Sequence, residues 1–237
     1  MSPVPSTNHV LGSLSASDLA LLQPGLERVE LNFRQELEQP NHVLEFSYFP
    51  DDGIVSVIAD DGTGRSVEVG IVGNDSFTAQ AVTMGTDRSP NLSLVQVAGH
   101  ARRIRAENLR QAISHSRTLH VTLLASVQAF MVQTSFTALA NGKARIDERM
   151  ARWLLMAHDR LLGDTLSLTH EVLANTLGVR RAGVTVGLQK LESAGLISTK
   201  RKAIEIRDRR GLEQLAGEVY SVQTREQRRL TGWKPTK

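Results

Sequence analysis

The sequence predicts an α+β chain: an N-terminal antiparallel β-roll, a long helix, and a C-terminal winged helix-turn-helix. Three observations carry this. Short apolar runs separated by Gly, Pro and Asp turns fill residues 43–99, an unbroken helical pattern spans 117–140, and an Ala–Gly–Val spacing followed by a basic hairpin occupies 170–207.

Val43–Phe49 runs into Pro50-Asp-Asp-Gly53, a turn by composition. Ile54–Ile58 then reads as a strand, Asp60-Asp-Gly-Thr-Gly64 as a hairpin turn, and Ser66–Ile71 as an alternating return strand. Leu92–Val97 is a further strand, closed by Gly99. Short strands with turns between them indicate an antiparallel roll or barrel. Ahead of them, residues 1–40 hold short helical patterns, with Ser15 or Ser17 and Asp18 placed to cap a helix through Leu19, Leu21 and Leu22. Residues 1–116 are thus assigned to one domain.

Helical periodicity takes over near Ala106, and Arg117–Ala140 contains neither proline nor glycine. His120, Leu124, Val127, Met131, Thr134 and Ala138 are spaced 4-3-4-3-4, which places them on one stripe. Such a stripe packs on its own domain or, between two modules, on a copy of itself. These six residues are the expected dimer interface, making 117–140 a dimerisation helix. His120 is either a pH-sensitive contact there or a solvated or satisfied histidine. Asn141-Gly142 breaks the pattern and marks the boundary to a domain at 141–222. A basic tail at 223–237 is expected to fray.

Composition narrows the function. Net charge is only +3, but its distribution is uneven: residues 1–140 carry 9 Lys/Arg against 14 Asp/Glu, and residues 141–237 carry 19 against 11. The basic part suits a polyanion, the acidic part another task. There is no cysteine, which removes disulfides, thiol ligands and cysteine-held clusters and fits a cytoplasmic setting. The start Met1-Ser-Pro-Val-Pro5 lacks the basic and apolar regions of a signal peptide, and no run of apolar residues has the length of a membrane span.

The informative segment is His170–Gln189. Ala174 is followed four residues later by Gly178 and ten residues later by Val184. A helix-turn-helix needs a small residue where the helices approach, a glycine in the turn, and a β-branched residue plugging the second helix into the first. Leu173, Leu177, Val179, Leu188 and Leu191 complete the seam, and Ser167 or Thr169 can cap the first helix with Glu171 in its first turn. Glu192–Ile197 reads as a helix end, and Ser198–Lys202 with Ala203–Arg207 reads as a two-stranded wing tipped by Lys200, Arg201 and Lys202. With Val184, Leu188 and Leu191 inward, Ala182, Thr185, Val186 and Gln189 point outward. Thr169 and His170 start the first helix, and Arg180 and Arg181 start the second, where long side chains reach a groove. Arginine suits guanine, glutamine suits adenine or a phosphate, and Thr or Val suits a thymine methyl. For Arg180, base reading and a phosphate contact stay open. Together these residues are the expected surface for double-stranded DNA.

Arg149–Leu155, Leu168–Ala174, Leu177–Arg181, Leu191–Ile197 and Ile206–Arg209 resemble the C-terminal domain of the Crp/Fnr family of transcription regulators. Residues 20–115 resemble that family's sensor β-roll, which is like a cyclic-nucleotide-binding domain, and the long helix lies where the family dimerises. The resemblance implies a homodimer on a two-fold-related operator, in contact with RNA polymerase. It places Arg181 where a base-reading arginine lies, but the family's next glutamate and second arginine fall on Ala182 and Val186. It also implies a phosphate cassette ending in Arg-Ser. Arg88-Ser89 is present, yet the expected Gly-Glu pair falls on Phe77-Thr78. Cyclic nucleotide is therefore not expected, no cofactor is predicted, and any effector is unknown.

Enzymatic readings lack support. Gly62-Thr-Gly64 has no third glycine or following helix, and no Gly-x-Ser-x-Gly, Walker-type or His-Glu-x-x-His motif occurs. The competing reading is a ligand-binding β-roll protein whose winged helix contacts protein; the charge of Arg180, Arg181 and the wing tip argues against it.

Overall fold

Two antiparallel sheets build the N-terminal half of the computed structural model, which describes residues 6–235. Met1–Pro5, read above for a signal peptide, and Thr236–Lys237 of the expected tail lie outside the described residues. The strands are β1 (Glu27–Leu31), β2 (Glu36–Glu38), β3 (Phe46–Pro50), β4 (Ile54–Asp60), β5 (Ser66–Val72), β6 (Leu92–Val97) and β7 (Gly99–Arg105). One sheet runs β1-β7-β3, the other β2-β6-β4-β5. The expected β4–β5 hairpin turns on Asp61, whose Oδ1 accepts from the amides of Thr63 and Arg65.

Three strands escaped the sequence reading for a common reason. β1 and β2 fall in the stretch read as helical, and β7 follows the glycine taken as a strand end. In β7 only Ala101 and Ile104 turn into the core, while Arg103 lies over the Phe46 ring at 4.4 Å and pairs with Glu27 at 2.9 Å. β1 buries only Leu31 fully. Charged outer faces hide the period of two in such short strands.

Helices α1 (His9–Ser13) and α2 (Ala16–Leu22) precede the roll, capped by Asn8 and, as expected, by Ser15, whose Oγ accepts from the amide of Asp18 at 3.1 Å. α3 (Gln80–Thr83) and α4 (Ala106–His115) lead to α5 (Arg117–Lys143). The long helix passes through Asn141-Gly142 and ends at Lys143; one glycine costs a helix only about 1 kcal/mol. The chain is broken instead just after it, where Glu148 caps the amide of Arg145 at 2.8 Å and starts α6 (Ile146–His158).

By length and composition α5 could cross a bilayer, contrary to the expectation that no segment could. One side of it packs on the roll. Leu119, Leu123 and Val127 enter a core with Phe49, Phe77 and Leu109. Val127 therefore belongs to its own domain and not to the expected dimer stripe. His120 is turned inward too, with Nε2 3.0 Å from the carbonyl of Thr83, and Thr134 is half-buried. The face left open is Val121, Leu124, Gln128, Met131, Ser135 and Ala138. Leu124, Met131 and Ala138 of the expected stripe are thus kept, while Val121, Gln128 and Ser135 stand open in place of His120, Val127 and Thr134. α5 is apolar on two sides, so periodicity alone could not tell which side meets its own domain.

The C-terminal half contains β8 (Thr165–Leu166), α7 (His170–Leu177), α8 (Arg181–Ser193), β9 (Ile197–Lys200), β10 (Ala203–Ile206), α9 (Arg209–Ala216) and α10 (Glu218–Thr231). Its sheet runs β8-β10-β9, and Met150, Leu154, Leu166, Leu173, Val184, Leu188 and Leu212 fill its core. The tail expected to fray is α10, packed along α5 with Tyr220, Gln223, Gln227 and the following Trp233 buried. Two of the anchors are glutamines, so the segment shows no apolar stripe in the sequence.

The halves meet over a buried polar junction. Arg160, just after α6, donates from Nε and Nη2 to Asp75 at 2.8 and 2.7 Å, and Gln227 of α10 donates to the same carboxylate. Trp233 covers the guanidinium at 5.3 Å. Gly73 makes room: a Cβ there would stand 2.9 Å from the Arg160 stem.

Candidate nucleic-acid interface

The helix-turn-helix forms as the spacing requires. Thr169 caps α7 by accepting from the amide of Val172 at 3.2 Å, with Glu171 in the first turn. Gly178 closes α7 at φ +60°, a conformation that favours glycine. Val184 is fully buried and Leu188 and Leu191 nearly so. α8 also lies close on α6, because a Cβ on Gly187 would meet Met150 Cε at 2.8 Å and one on Gly183 would meet Ile146 at 3.1 Å. The sequence reading gave these two glycines no role.

Of the expected DNA-facing residues, Arg180, Arg181, Ala182, Val186 and Gln189 are exposed on or beside α8. Val186 is an apolar residue with half its surface open, which suits contact with a thymine methyl. Thr185 and His170 are half-buried: His170 Nδ1 lies 3.2 Å from Thr185 Oγ1, so they tie the two helices together at the edge of the exposed face. Lys190, which the sequence reading left out, is exposed beside Gln189.

The wing carries Lys200, Arg201 and Lys202, all exposed, with Lys202 at φ +59° in the turn. Lys200 reaches Glu205 at 3.2 Å, and Arg207 reaches the same carboxylate at 3.0 Å, which offsets part of the charge. Thr199 donates from its amide to Glu192 at 2.7 Å and holds that carboxyl below its usual range, pinning the wing to the end of α8. Behind the wing, Arg209 bonds Asp159 at 2.6 Å and Tyr220 at 2.8 Å, which accounts for the Ile206–Arg209 segment of the sequence pattern.

The roll and α5 border a half-open cavity of about 300 Å³ lined by Glu38, Phe77, Thr78, Arg88, Phe130 and Met131 among others. Phe77 is fully buried against Phe49, and Thr78 Oγ1 accepts from the amide of Tyr48. The amide of Ala79 donates to Glu38 at 2.7 Å, so a side-chain carboxyl occupies this donor. Burial pushes the Glu38 carboxyl above its usual range. Arg88 is tied to the carbonyl of Asn41 at 3.0 Å and lies near Asp87.

Residues 148–215 match the family model of the Crp-like helix-turn-helix domain. A comparison with curated protein sequences found no significant match. Among solved structures, FixK2 from Bradyrhizobium japonicum is similar at TM-score 0.67 and 16% identity, over 81% of this chain and 98% of that one. The c-di-GMP responsive global regulator CLP of Xanthomonas campestris is similar at TM-score 0.63 and 18% identity, over 81% and 99%. A CRP-family transcriptional regulator from Thermus thermophilus gives TM-score 0.65 at 17% identity, over 81% and 98%. The C-terminal domain is therefore a Crp-like helix-turn-helix, a DNA-binding module, and the whole chain has the fold of Crp/Fnr regulators. The resemblance read from residues 145–210 is borne out.

Proposed function

We propose that this chain, a Crp-like helix-turn-helix on a Crp/Fnr fold, is a cytoplasmic, non-enzymatic transcription regulator that binds a two-fold-related operator as a homodimer. The observation that carries this is α8 itself: Val184, Leu188 and Leu191 anchor one face, and Arg181, Ala182, Val186 and Gln189 are open on the other. Arg181 reads a base edge, Val186 meets a thymine methyl, Gln189 reads adenine or a phosphate, and the wing contributes phosphate contacts. The open apolar stripe of α5, with Val121, Leu124 and Met131 exposed, pairs with its copy and sets the spacing of the two α8 helices. The regulator acts through contact with RNA polymerase.

The cavity in the roll does not take a cyclic nucleotide on this reading. Phe77 and Thr78 are committed to the core, and a phosphate approaching the amide of Ala79 would meet the Glu38 carboxyl. The test of the main reading is selection of the full chain against random duplexes. Enrichment of one motif whose halves are related by two-fold symmetry, with centres about one helical turn (~34 Å) apart, is expected. Retention without any enriched motif would contradict it.

A further inference from the structure

One arginine of the sensor roll lies beside the winged helix. Arg34 sits in the turn between β1 and β2, and its Nη2 stands 3.9 Å from Glu171 Oε1 in the first turn of α7. The turn is tied to β6 at both Arg34 and Gln35. The Arg34 amide donates to the carbonyl of Val95 at 2.9 Å, and the Val95 amide donates to the carbonyl of Gln35 at 2.9 Å. Arg34 takes φ +65°, a left-handed conformation that glycine adopts at less cost. The backbone thus fixes where this long side chain starts. Below it, Gln96 Nε2 of β6 donates to Thr176 Oγ1 of α7 at 2.8 Å, which holds α7 on the sheet that carries the turn.

This position continues the DNA-facing surface. The amide of Leu168 donates to the carbonyl of Lys202 at 3.1 Å, so the basic wing tip abuts the residues that start α7. Thr169 caps that helix, and His170 touches Thr185 of α8. Glu171 follows, with Arg34 against it. In a helix-turn-helix the second helix enters the groove while the first crosses the phosphate backbone. A strand of phosphates that passes the start of α7 therefore meets Arg34 next.

Charge and exposure show what the side chain has to offer. The Arg34 and Glu171 side chains are 65% and 67% exposed, and 3.9 Å is too long for a hydrogen bond. An open pair of that kind contributes little to stability. The guanidinium lies 5.5 Å from the centre of the Phe33 ring, and among the described residues no hydrogen bond engages it. Its N–H fork is thus available to an anion. Glu171, in contrast, sets a carboxylate on a surface that phosphates approach. A guanidinium placed between the two anions can donate to both.

We propose that Arg34, carried by the sensor roll, is a DNA-backbone contact that donates to a phosphate flanking the base pairs under α8 and bridges it to Glu171. This rests on the DNA-contact reading and extends it from the C-terminal domain to the N-terminal one. The contact adds affinity and length to the site without reading sequence, because phosphates are the same beside every base pair.

Arg34→Gln removes the charge of an exposed side chain and leaves the turn in place. Titrated on the selected operator and on random duplexes at several salt concentrations, it should bind both several-fold more weakly. The slope of log affinity against log salt should become shallower by about 0.9 per chain, the share of one phosphate. Ethylation interference on the operator should lose one phosphate in each half-site, outside the base pairs under α8. Glu171→Gln separates a DNA contact from a mere tie between domains. It should tighten binding, since the acid facing the phosphate is gone, whereas a tie is cut by either change and both would weaken binding. An unchanged salt slope and interference pattern in Arg34→Gln, or Glu171→Gln binding no tighter than the unaltered chain, overturns the proposal. Should the unaltered chain show no salt-dependent binding to DNA, the DNA-contact reading fails and this contact with it. Binding that Arg34→Gln leaves intact removes Arg34 alone.

Discussion

Leu124→Asp with Met131→Asp is expected to yield folded monomers with little operator affinity. Both side chains are open in the single chain, at 38% and 61% of their full exposure, so the change removes nothing from the chain's own core. In a paired α5 seam it buries four carboxylates near one another. At a cost of roughly 1–3 kcal/mol for each poorly compensated polar group, dimerisation weakens by a factor on the order of a thousand or more. Sedimentation at micromolar concentration should show one chain per particle and unchanged helicity. Val127→Asp makes the contrast: it places a charge inside the Phe49–Phe77 core and should unfold the sensor domain. A double variant that stays dimeric refutes the seam.

The second large effect concerns stability. Asp75→Ala removes the carboxylate that takes two bonds from Arg160 and one from Gln227, at a junction where both charged side chains are only 1–2% exposed. The guanidinium is then left buried without its anion, and breaking such a pair costs about 3–5 kcal/mol. For a chain of this size the midpoint of thermal unfolding should fall on the order of 10 °C. Replacing both partners together, Asp75→Ala with Arg160→Met, should recover much of the loss, because no charge is stranded. Calorimetry on the three variants distinguishes a stranded charge from a mere loss of packing.

These two results depend on features of unequal legibility. The helix-turn-helix was readable because its demands are local: Ala174, Gly178 and Val184 lie within eleven residues, and each residue type is required by backbone geometry or close packing. The β4–β5 hairpin was readable for the same reason, through the Asp and Gly of its turn. The open face of α5 was half readable, since α5 is apolar on two sides and only the roll decides that Val127 turns inward and Val121 outward. The domain junction left no local trace. Asp75 and Arg160 are far apart in the chain, as are Gln96 and Thr176, and each is an ordinary polar residue in its own neighbourhood. α10 was hidden because Gln223 and Gln227 anchor it through hydrogen bonds and not through an apolar stripe.

If α8 reads sequence while the wing grips the backbone, titration of two variants on operator and random DNA at several salt concentrations separates the two roles. Arg181→Ala should cost about 1–3 kcal/mol on the selected operator and relax the preference at one base pair of each half-site. Lys200, Arg201 and Lys202 changed together to Ala should weaken binding to both DNAs about equally and flatten its dependence on salt, because phosphate contacts release counterions whatever the sequence. The expected wing effect is that of two free cations more than three, since Lys200 is already paired with Glu205. Loss of specificity in the wing variant, with Arg181→Ala lowering both affinities in proportion, would contradict the account.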